Sequence, residues 1–302
     1  MTQLTLGMCC IGRVESLGPD SVSLKIGQLV FFDITVRARD NPNTVMLQGF
    51  YAPREEGADT LQKYWRNGAF AEKILVPLEN VHPIPEYLFE KYGAAKLSEM
   101  SSILVPYGGF LSAGFEPGQS VMIQPATGNF GAAGVPAALA MGASRVYVVG
   151  RNSDVLNAFV KRFGPRVKPV VVKGTDEDKN IYAGLEPVDV ILNIYPWGAP
   201  VESTVHGMAA LRRGGTLVLM GGIPDAVPLP YLEMMMKSIT VKGQYMYPPS
   251  AIRKLVGLIE AGLLDLNAFE EKSFKIDDVL DAVKYASNKD TRLWLASTVL
   301  EP

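Results

Sequence analysis

The stretch that decides the fold runs Ser120-Val-Met-Ile-Gln-Pro-Ala-Thr-Gly-Asn-Phe-Gly131. It contains an apolar run, a turn over residues 126–131, and the start of a helix built from small residues. A second apolar run, Arg145-Val-Tyr-Val-Val-Gly150, follows it and leads into Arg151 and Asn152. This order predicts a strand, a phosphate-binding turn, a helix and a second strand, which together form a dinucleotide-binding unit.

The turn is expected to hold a pyrophosphate at the helix N-terminus, where amide groups and the helix dipole favour an anion. Gly128 permits the closest approach, and Gly131 lets the helix pack tightly on the sheet. A glycine-rich turn alone is weak evidence, and the alternative is an inert strand–helix turn. The flanking strands and helix favour the nucleotide. The predicted cofactor-binding residues of the turn are Ala126, Thr127, Gly128, Asn129, Phe130 and Gly131.

The residues that end the second strand predict which dinucleotide is bound. A site that prefers NAD usually has Asp or Glu there, to bond the ribose 2′-hydroxyl. This chain has Gly150, followed by Arg151, whose guanidinium matches phosphate geometry, and by Asn152, a neutral donor. We therefore expect NADP(H) in preference to NAD(H). The alternative is that Arg151 is an ordinary solvated arginine after a strand.

Composition limits the class of protein. The 302 residues are 48% hydrophobic, which allows one or two domains, and the net charge of −2 has no long run of either sign. We expect no nucleic-acid partner. Cys9 and Cys10 are adjacent, so they make neither a disulfide framework nor a metal-ligand spacing, and they suit a reducing, cytoplasmic setting. The N-terminus lacks the positive region of a signal peptide, and no apolar stretch has the length of a membrane span.

The first third of the chain is predicted to be rich in β-strands. Strands are expected over residues 12–18, 27–32 and 68–77, with a polar, irregular excursion over residues 37–67 between them. Residues 86–114 are predicted to be helical.

From Ser120 the pattern alternates between strand and helix, which predicts a parallel sheet covered on both faces. The tail is expected to form a helix over residues 279–287 and a strand over residues 293–300. Gly262 is the expected left-handed residue after the last long helix. Predicted strands cover residues 121–123, 146–149, 170–172, 188–192, 216–220 and 239–241, and helices cover residues 154–163, 201–212 and 250–261.

Five motifs occur along the chain: Gly12-Arg-Val-Glu-Ser-Leu-Gly18, Leu24-Lys-Ile-Gly-Gln-Leu-Val30, Gly68-Ala-Phe-Ala-Glu72, residues 126–131, and Leu211-Arg-Arg-Gly-Gly-Thr-Leu-Val-Leu-Met-Gly-Gly222. In this order they resemble the motifs of the medium-chain dehydrogenase/reductase superfamily, which contains zinc alcohol dehydrogenases and quinone reductases. The resemblance implies an α/β chain: a β-rich GroES-like catalytic domain over residues 1–110 and a Rossmann NADP-binding domain with a doubly wound parallel sheet over residues 111–265. Residues 266–302 would return to the catalytic domain.

The resemblance also implies roles for further residues. Phe130 would back the nicotinamide, and Tyr107 would lie beside its ring as a proton donor, unless it is a structural tyrosine at a domain junction. Residues 239–243 would pair across a homodimer. Residues 234–236, with Tyr245 and Tyr247, would shape either the substrate pocket or a subunit contact. The cofactor cleft would be lined by Gly150, Arg151, Asn152, Asn193, Met220, Gly221 and Gly222.

The chain departs from the superfamily pattern in two ways. It starts late, so we expect either a truncated sequence or a fold whose catalytic domain lacks its first strands, which usually carry one zinc ligand. Gly7-Met8-Cys9 stands at the Gly-His-Glu site, Ile103 stands near the second-cysteine site, and the four-cysteine lobe is absent. The two histidines, His82 and His206, do not restore a ligand set. Because catalytic zinc needs three protein ligands, we expect no metal.

Two functions remain open from the sequence. The first is a zinc-free, NADPH-dependent oxidoreductase that transfers hydride to a small apolar carbonyl, an α,β-unsaturated carbonyl or a quinone. Reduction of a C=O bond and of a C=C bond are not separated. The second is a nucleotide-binding protein without turnover, acting as a sensor or interaction partner, because an incomplete catalytic domain would admit water to the cleft.

Overall fold

A computed structural model describes residues 4–51, 57–288 and 295–302. Residue contacts divide the chain into two compact units, Met1–Ser101 with Phe269–Pro302, and Ser102–Ala268. The strands are β1 Cys10–Arg13, β2 Leu29–Phe32, β3 Thr35–Arg37, β4 Val45–Leu47, β5 Val81–Pro83, β6 Ser120–Gln124, β7 Arg145–Gly150, β8 Val167–Val171, β9 Val188–Asn193, β10 Leu211–Leu219, β11 Thr240–Gly243, β12 Glu270–Lys275 and β13 Ala296–Glu301. The α-helices are α1 Ala58–Tyr64, α2 Glu86–Ser98, α3 Met100–Ala113, α4 Asn129–Ala140, α5 Ser153–Phe163, α6 Asp178–Ala183, α7 Val201–Gly207, α8 Tyr231–Lys237, α9 Ser250–Glu260 and α10 Val279–Ser287.

The second unit is built on a parallel sheet of six strands in the order β11-β10-β9-β6-β7-β8. Strand β6 pairs with β7 through Val121 and Val146, and with β9 through Val121 and Val190. The chain order reverses at β6, and ligands of open α/β sheets bind at the carboxyl ends of the strands beside such a reversal. Strand β6 is buried along its whole length, as expected of a central parallel strand. The predicted Rossmann sheet is confirmed.

Helix α4 follows β6 and lies close to the sheet because its side chains are small. Its residues from Gly131 to Ala138 are buried, and they are mostly Gly and Ala. A Cβ on Gly131 would collide with the Pro125 carbonyl oxygen, so only glycine fits at this crossing. The helix therefore starts directly over the end of β6, which places its N-terminus at the carboxyl edge of the sheet.

The described residues of the first unit form three small sheets. Strands β1, β2 and β5 form an antiparallel sheet, β3 pairs with β4, and β12 runs parallel to β13. The core of this unit includes the buried run from Leu29 to Val36 and the inner face of α2, where Leu88 and Leu97 are buried.

Several predicted elements are wrong in extent or type. Residues 68–77 form no strand. The backbone of Gly68 instead packs directly against the backbones of Gly7 and Gly49, and such a close crossing of chain segments is not compatible with regular strand pairing. Strand β1 covers only part of the predicted 12–18 segment, and the excursion over residues 37–67 contains β4 and α1. The helix predicted over residues 201–212 ends at Gly207, because Leu211 already pairs with Val188 in the sheet.

Other predicted elements are confirmed. The helical segment 86–114 is present as two helices, α2 and α3, and Gly262 adopts a left-handed φ of 70° just beyond α9. The tail forms α10 and β13, although residues 293 and 294 of the predicted strand lie outside the described residues. The domain boundaries predicted at residues 110 and 265 stay predictions. The two compact units defined by residue contacts meet after residues 101 and 268. Within the described ranges, no helix has the length and apolar character needed to cross a bilayer.

Candidate functional site

The turn between β6 and α4 leaves an open helix N-terminus. Gly128 is the N-cap residue, with φ −90° and ψ 167°, and no described side chain caps this end. Gly128 is exposed, and a Cβ built on it would meet nothing within 4 Å. The neighbouring Phe130 side chain is 36% exposed despite its size. Open space, uncapped amides and the helix dipole form the arrangement that favours an anionic group.

The end of β7 is tied to this turn. The Ala126 amide donates to the Val149 carbonyl at 2.8 Å, which holds the turn against the last residues of β7. Gly150 is buried, and a Cβ on it would lie 2.7 Å from the Thr127 Cγ2. The absent side chain of Gly150 therefore makes room for Thr127, and the two predicted cofactor residues are direct neighbours.

Arg151 and Asn152 follow β7 at the surface. Arg151 is exposed, and no carboxylate of the described residues pairs with it. Its positive charge acts on the phenol of Tyr195, whose pKa is raised by burial, while hydrogen bonds from Tyr182 and Ser203 and the Arg151 charge oppose that rise. Asn152 caps α5 by accepting from the Asp154 and Val155 amides at 3.0 and 3.2 Å, so its oxygen is already occupied.

The loops after β9 and β10 abut one another on the other side of β6. The Met220 amide donates to the Asn193 carbonyl, and the Gly222 amide donates to the Tyr195 carbonyl, both at 2.9 Å. A Cβ on Gly221 would lie 2.5 Å from the Tyr195 carbonyl oxygen, so glycine is required for this contact. The predicted residues Met220, Gly221 and Gly222 are brought together at the carboxyl edge of the sheet.

Asn193 differs from the expectation that it lines a cleft. Its side chain is only 2% exposed, and its amide donates to the Thr204 hydroxyl at 2.8 Å. Its side chain therefore bonds within the protein interior, while its backbone carbonyl accepts from the Met220 amide. Trp197 instead presents its ring at this edge, being 79% exposed beside Gly222. Sequence reasoning missed Trp197, although a tryptophan four residues beyond a buried strand was a usable signal.

Tyr107 lies in α3 and is 4% exposed. Burial raises the pKa of its phenol, so the hydroxyl stays protonated at neutral pH. The same helix packs closely on the sheet edge, because a Cβ on Gly109 would lie 2.5 Å from the Met220 sulfur and one on Gly108 would lie 2.5 Å from the Tyr247 Cβ. The helix segment that carries Tyr107 therefore contacts the loop of Met220. Tyr107 as proton donor stays a prediction.

The side chains at the expected zinc positions do not fit a zinc ion. Met8 stands at the position of the histidine ligand, and a thioether is not among the side chains that bind zinc in proteins. Ile103 is fully buried and apolar. In the described parts of the chain, no three His, Cys, Asp or Glu side chains cluster as a metal site would require.

The two histidines occupy separate places. Burial lowers the pKa of His82, with the Asp33 carboxylate opposing the change, and the Nε2 atom of His82 is buried without a described partner. His206 lies in α7, 3.9 Å from the Asp176 carboxylate. Among the residues that the structure describes, neither histidine is hydrogen-bonded to a side chain that could act as a nucleophile, so neither arrangement resembles a catalytic pair.

One buried acid lies in the first unit at the junction of α2 and α3. Glu99 is 1% exposed, and its carboxyl group accepts hydrogen bonds from Ser297. Burial raises its pKa to about 7, nearby Glu271 adds to the rise, and Lys96 opposes it. Lys96 itself pairs with Glu271 at 2.9 Å. Sequence reasoning did not single out this carboxyl.

Two family models match the chain. The alcohol dehydrogenase GroES-like domain matches residues 1–86, and the zinc-binding dehydrogenase model matches residues 130–261. The matches agree with the sheet order and with the two compact units. The chain belongs to the medium-chain dehydrogenase/reductase superfamily, a group of oxidoreductases, and the predicted resemblance is confirmed.

Similar proteins include dehydrogenases from several bacteria. An L-threonine 3-dehydrogenase from Anaeromyxobacter dehalogenans is 26% identical over 291 residues, covering 91% of this chain and 76% of its own. A structure from Sinorhizobium meliloti, described as a zinc-binding dehydrogenase bound to NADP, aligns over 100% of this chain and 84% of its own, with a TM-score of 0.75 at 19% identity. An alcohol dehydrogenase from Escherichia coli complexed with NADH gives a TM-score of 0.77 at 14% identity, covering 95% and 81%.

Proposed function

We propose that this protein is an NADP(H)-dependent oxidoreductase that transfers hydride to a carbonyl, α,β-unsaturated carbonyl or quinone without zinc. The choice of NADP(H) over NAD(H) rests on Arg151. This exposed cation lies directly after β7 and pairs with no carboxylate among the described residues. Buried Gly150 leaves no acidic side chain at the position that selects the ribose 2′-hydroxyl of NAD. Because the similar structures include one with NADP and one with NADH, the superfamily alone does not decide between them.

The residues around the turn fit a nicotinamide dinucleotide. Uncapped amides at the start of α4, with no Cβ on Gly128, would hold the pyrophosphate. The loops of Met220–Gly222 and Tyr195–Trp197 would hold the nicotinamide half. When bound, the cofactor supplies the hydride. The protein would orient it and donate a hydrogen bond to the substrate oxygen, for which the protonated Tyr107 phenol is the candidate.

Cofactor titration tests this proposal. Isothermal titration of the protein with NADPH and with NADH should show tighter binding of NADPH. Arg151→Ala should weaken NADPH binding at least tenfold, about 1.4 kcal/mol, because a charge-assisted contact to the 2′-phosphate is lost. NADH affinity should stay unchanged in that variant. Arg253→Ala, which removes an exposed arginine of α9 in the same unit, is the matched control.

Equal affinity for the two cofactors, or NADPH binding that is indifferent to Arg151, would overturn the NADP(H) assignment. Turnover is tested separately, by following NADPH oxidation against ketones, enones and quinones, with elemental analysis of the same preparation. Stoichiometric zinc would refute the zinc-free mechanism. NADPH binding without any turnover would favour the other function, a nucleotide-binding protein that acts as a sensor or partner.

A homodimer and a cytoplasmic location are further parts of the proposal. Strand β11 lies at the edge of the sheet, and nearby Met235 and Met236 are 58% and 59% exposed. An apolar recess of about 360 Å³ beside them is lined by Tyr231, Met234 and Ile239. A second copy pairing at β11 would cover this surface. Light scattering should give a dimer, and Met235→Glu should shift it towards monomer.

The proposed cytoplasmic location rests on the cysteines. The free thiols of Cys9 and Cys10 suit a reducing compartment.

A further inference from the structure

A polar pocket of about 230 Å³ lies within the first unit, where three chain segments meet. Gly7, Gly49 and Gly68 bring these segments together, since a Cβ on any one would collide with the backbone of another segment. The Gly68 amide donates to the Thr5 carbonyl at 2.7 Å, and the Gly49 amide donates to the Arg66 carbonyl at 3.1 Å. Backbone contacts therefore fix the walls of the pocket.

Gln48 lines the pocket and leaves a hydrogen-bond acceptor unused. Its side chain is 1% exposed, and its amide nitrogen donates to the Asn67 and Leu75 carbonyls, each at 2.8 Å. These two acceptors fix the orientation of the carboxamide. The Gln48 oxygen then has no donor among the described residues. A buried acceptor without a partner costs about 1–3 kcal/mol, so a donor brought by a ligand would be favoured.

Cationic side chains line the same pocket. Lys63 and Arg66 both contribute to the wall, and within the described ranges neither forms an ion pair with a carboxylate. The Arg66 Nε atom is buried and lacks an acceptor in that part of the chain. The third cation of the wall, Lys73, pairs with Glu15 at 2.6 Å. Two cations without a carboxylate partner among the described residues thus line the same pocket as Gln48.

We propose that this pocket binds a small hydroxylated anion, meaning a carboxylate or phosphate monoester that also carries a hydroxyl group. Its charge would face Lys63 and Arg66, and its hydroxyl would donate to Gln48. The volume of about 230 Å³ favours a small ligand, because it is below the roughly 300 Å³ at which typical ligand pockets begin and equals about eight water volumes. A chain of about three carbons fits. The assignment concerns the first unit alone and does not depend on the nucleotide.

Calorimetric titration of the whole protein at low ionic strength tests the site, with D-glycerate and glycerol 1-phosphate as probes. Both should bind, glycerol should not, and sulfate should bind at least tenfold more weakly. Lys63→Gln and Arg66→Gln should each weaken both probes at least fivefold. Lys25→Gln removes an exposed lysine of the same unit outside the pocket, and it should change affinity less than twofold.

Circular dichroism and an NADPH titration show whether each variant is folded, and they report on the nucleotide site separately. If Arg66→Gln fails to fold, Lys63→Gln carries the test alone. No binding of either probe, or equal affinity in wild type and Lys63→Gln, would overturn the proposal. Sulfate binding as tight as D-glycerate would overturn its hydroxyl part, leaving only a site for adventitious ions.

Discussion

Glu99→Gln should remove a specific pH dependence from the stability of the protein. Burial raises the pKa of Glu99 from 4.5 to about 7. Between these two values the folded protein holds a proton that the unfolded chain has released, so stability is greatest below pH 4.5 and falls as pH rises. Above pH 7 both states are ionised and the loss is complete. At about 1.4 kcal/mol per pKa unit, the full loss is about 3 kcal/mol.

The assay is guanidinium unfolding from pH 5 to pH 8, followed by circular dichroism. Relative to Glu99→Gln, the wild type should lose about 2 to 3 kcal/mol of unfolding free energy across this window. The comparison isolates Glu99, because every other titrating group is common to both proteins. Glutamine keeps an oxygen that can accept from Ser297, so the change is mainly one of charge. Glu90→Gln, an exposed acid of the same helix α2, is the matched control and should follow the wild type.

Parallel stability profiles of the wild type and Glu99→Gln, within about 0.5 kcal/mol from pH 5 to pH 8, would refute this reasoning. The opposite result, a wild type that gains stability relative to the variant as pH rises, would also contradict the expected direction. The attraction between Lys96 and the ionised Glu99 would then outweigh the desolvation of the carboxylate.

Three further predictions concern the two glycines of the turn, Trp197, and the two cysteines. Gly128→Ala should leave the cofactor-free protein as stable as the wild type, or about 0.4–1 kcal/mol more stable, yet weaken NADPH binding at least tenfold, whereas Gly131→Ala should cost about 1–3 kcal/mol of stability because its Cβ collides with Pro125. Calorimetry and thermal unfolding of both variants check this, and equal behaviour would contradict it. Trp197→Phe should abolish most of the tryptophan quenching that NADPH causes; quenching that persists would place the ring away from the cofactor. Cys9 and Cys10 should react with a disulfide reagent at pH 8 about a hundredfold more slowly than free cysteine, and fast labelling would contradict their raised pKa values.

The nucleotide-binding unit could be predicted well because its signals are local. An apolar strand, a turn with Gly128 and a small-residue helix are adjacent in sequence, and each constrains the next. The parallel sheet could then be expected from alternating strands and helices, whereas the order of its six strands is known from the structure. Arg151 could be located for the same reason, since its position depends only on where β7 ends.

The first unit was predicted less well because its structure depends on contacts distant in sequence. Residues 68–77 have the composition of a strand, yet Gly68 crosses Gly7 and Gly49, which lie 61 and 19 positions away. The Glu99 carboxyl and the Gln48 pocket are invisible in the sequence for the same reason. Their burial is created by segments that the chain brings together only on folding. Asn193 was assigned correctly to a strand end, but its bond to Thr204 could not be foreseen.

The contact between Gly150 and Thr127 also constrains how this protein could change over time. A switch towards NAD would place an acid at residue 150, but any side chain there meets the Thr127 methyl at 2.7 Å. Residue 127 would have to shrink first, or the intermediate sequence would carry a strained turn. The two positions are therefore epistatic, and the order in which they mutate decides whether the path is open. Because Thr127 fills the space above Gly150, the proposed NADP(H) preference is hard to reverse by single substitutions.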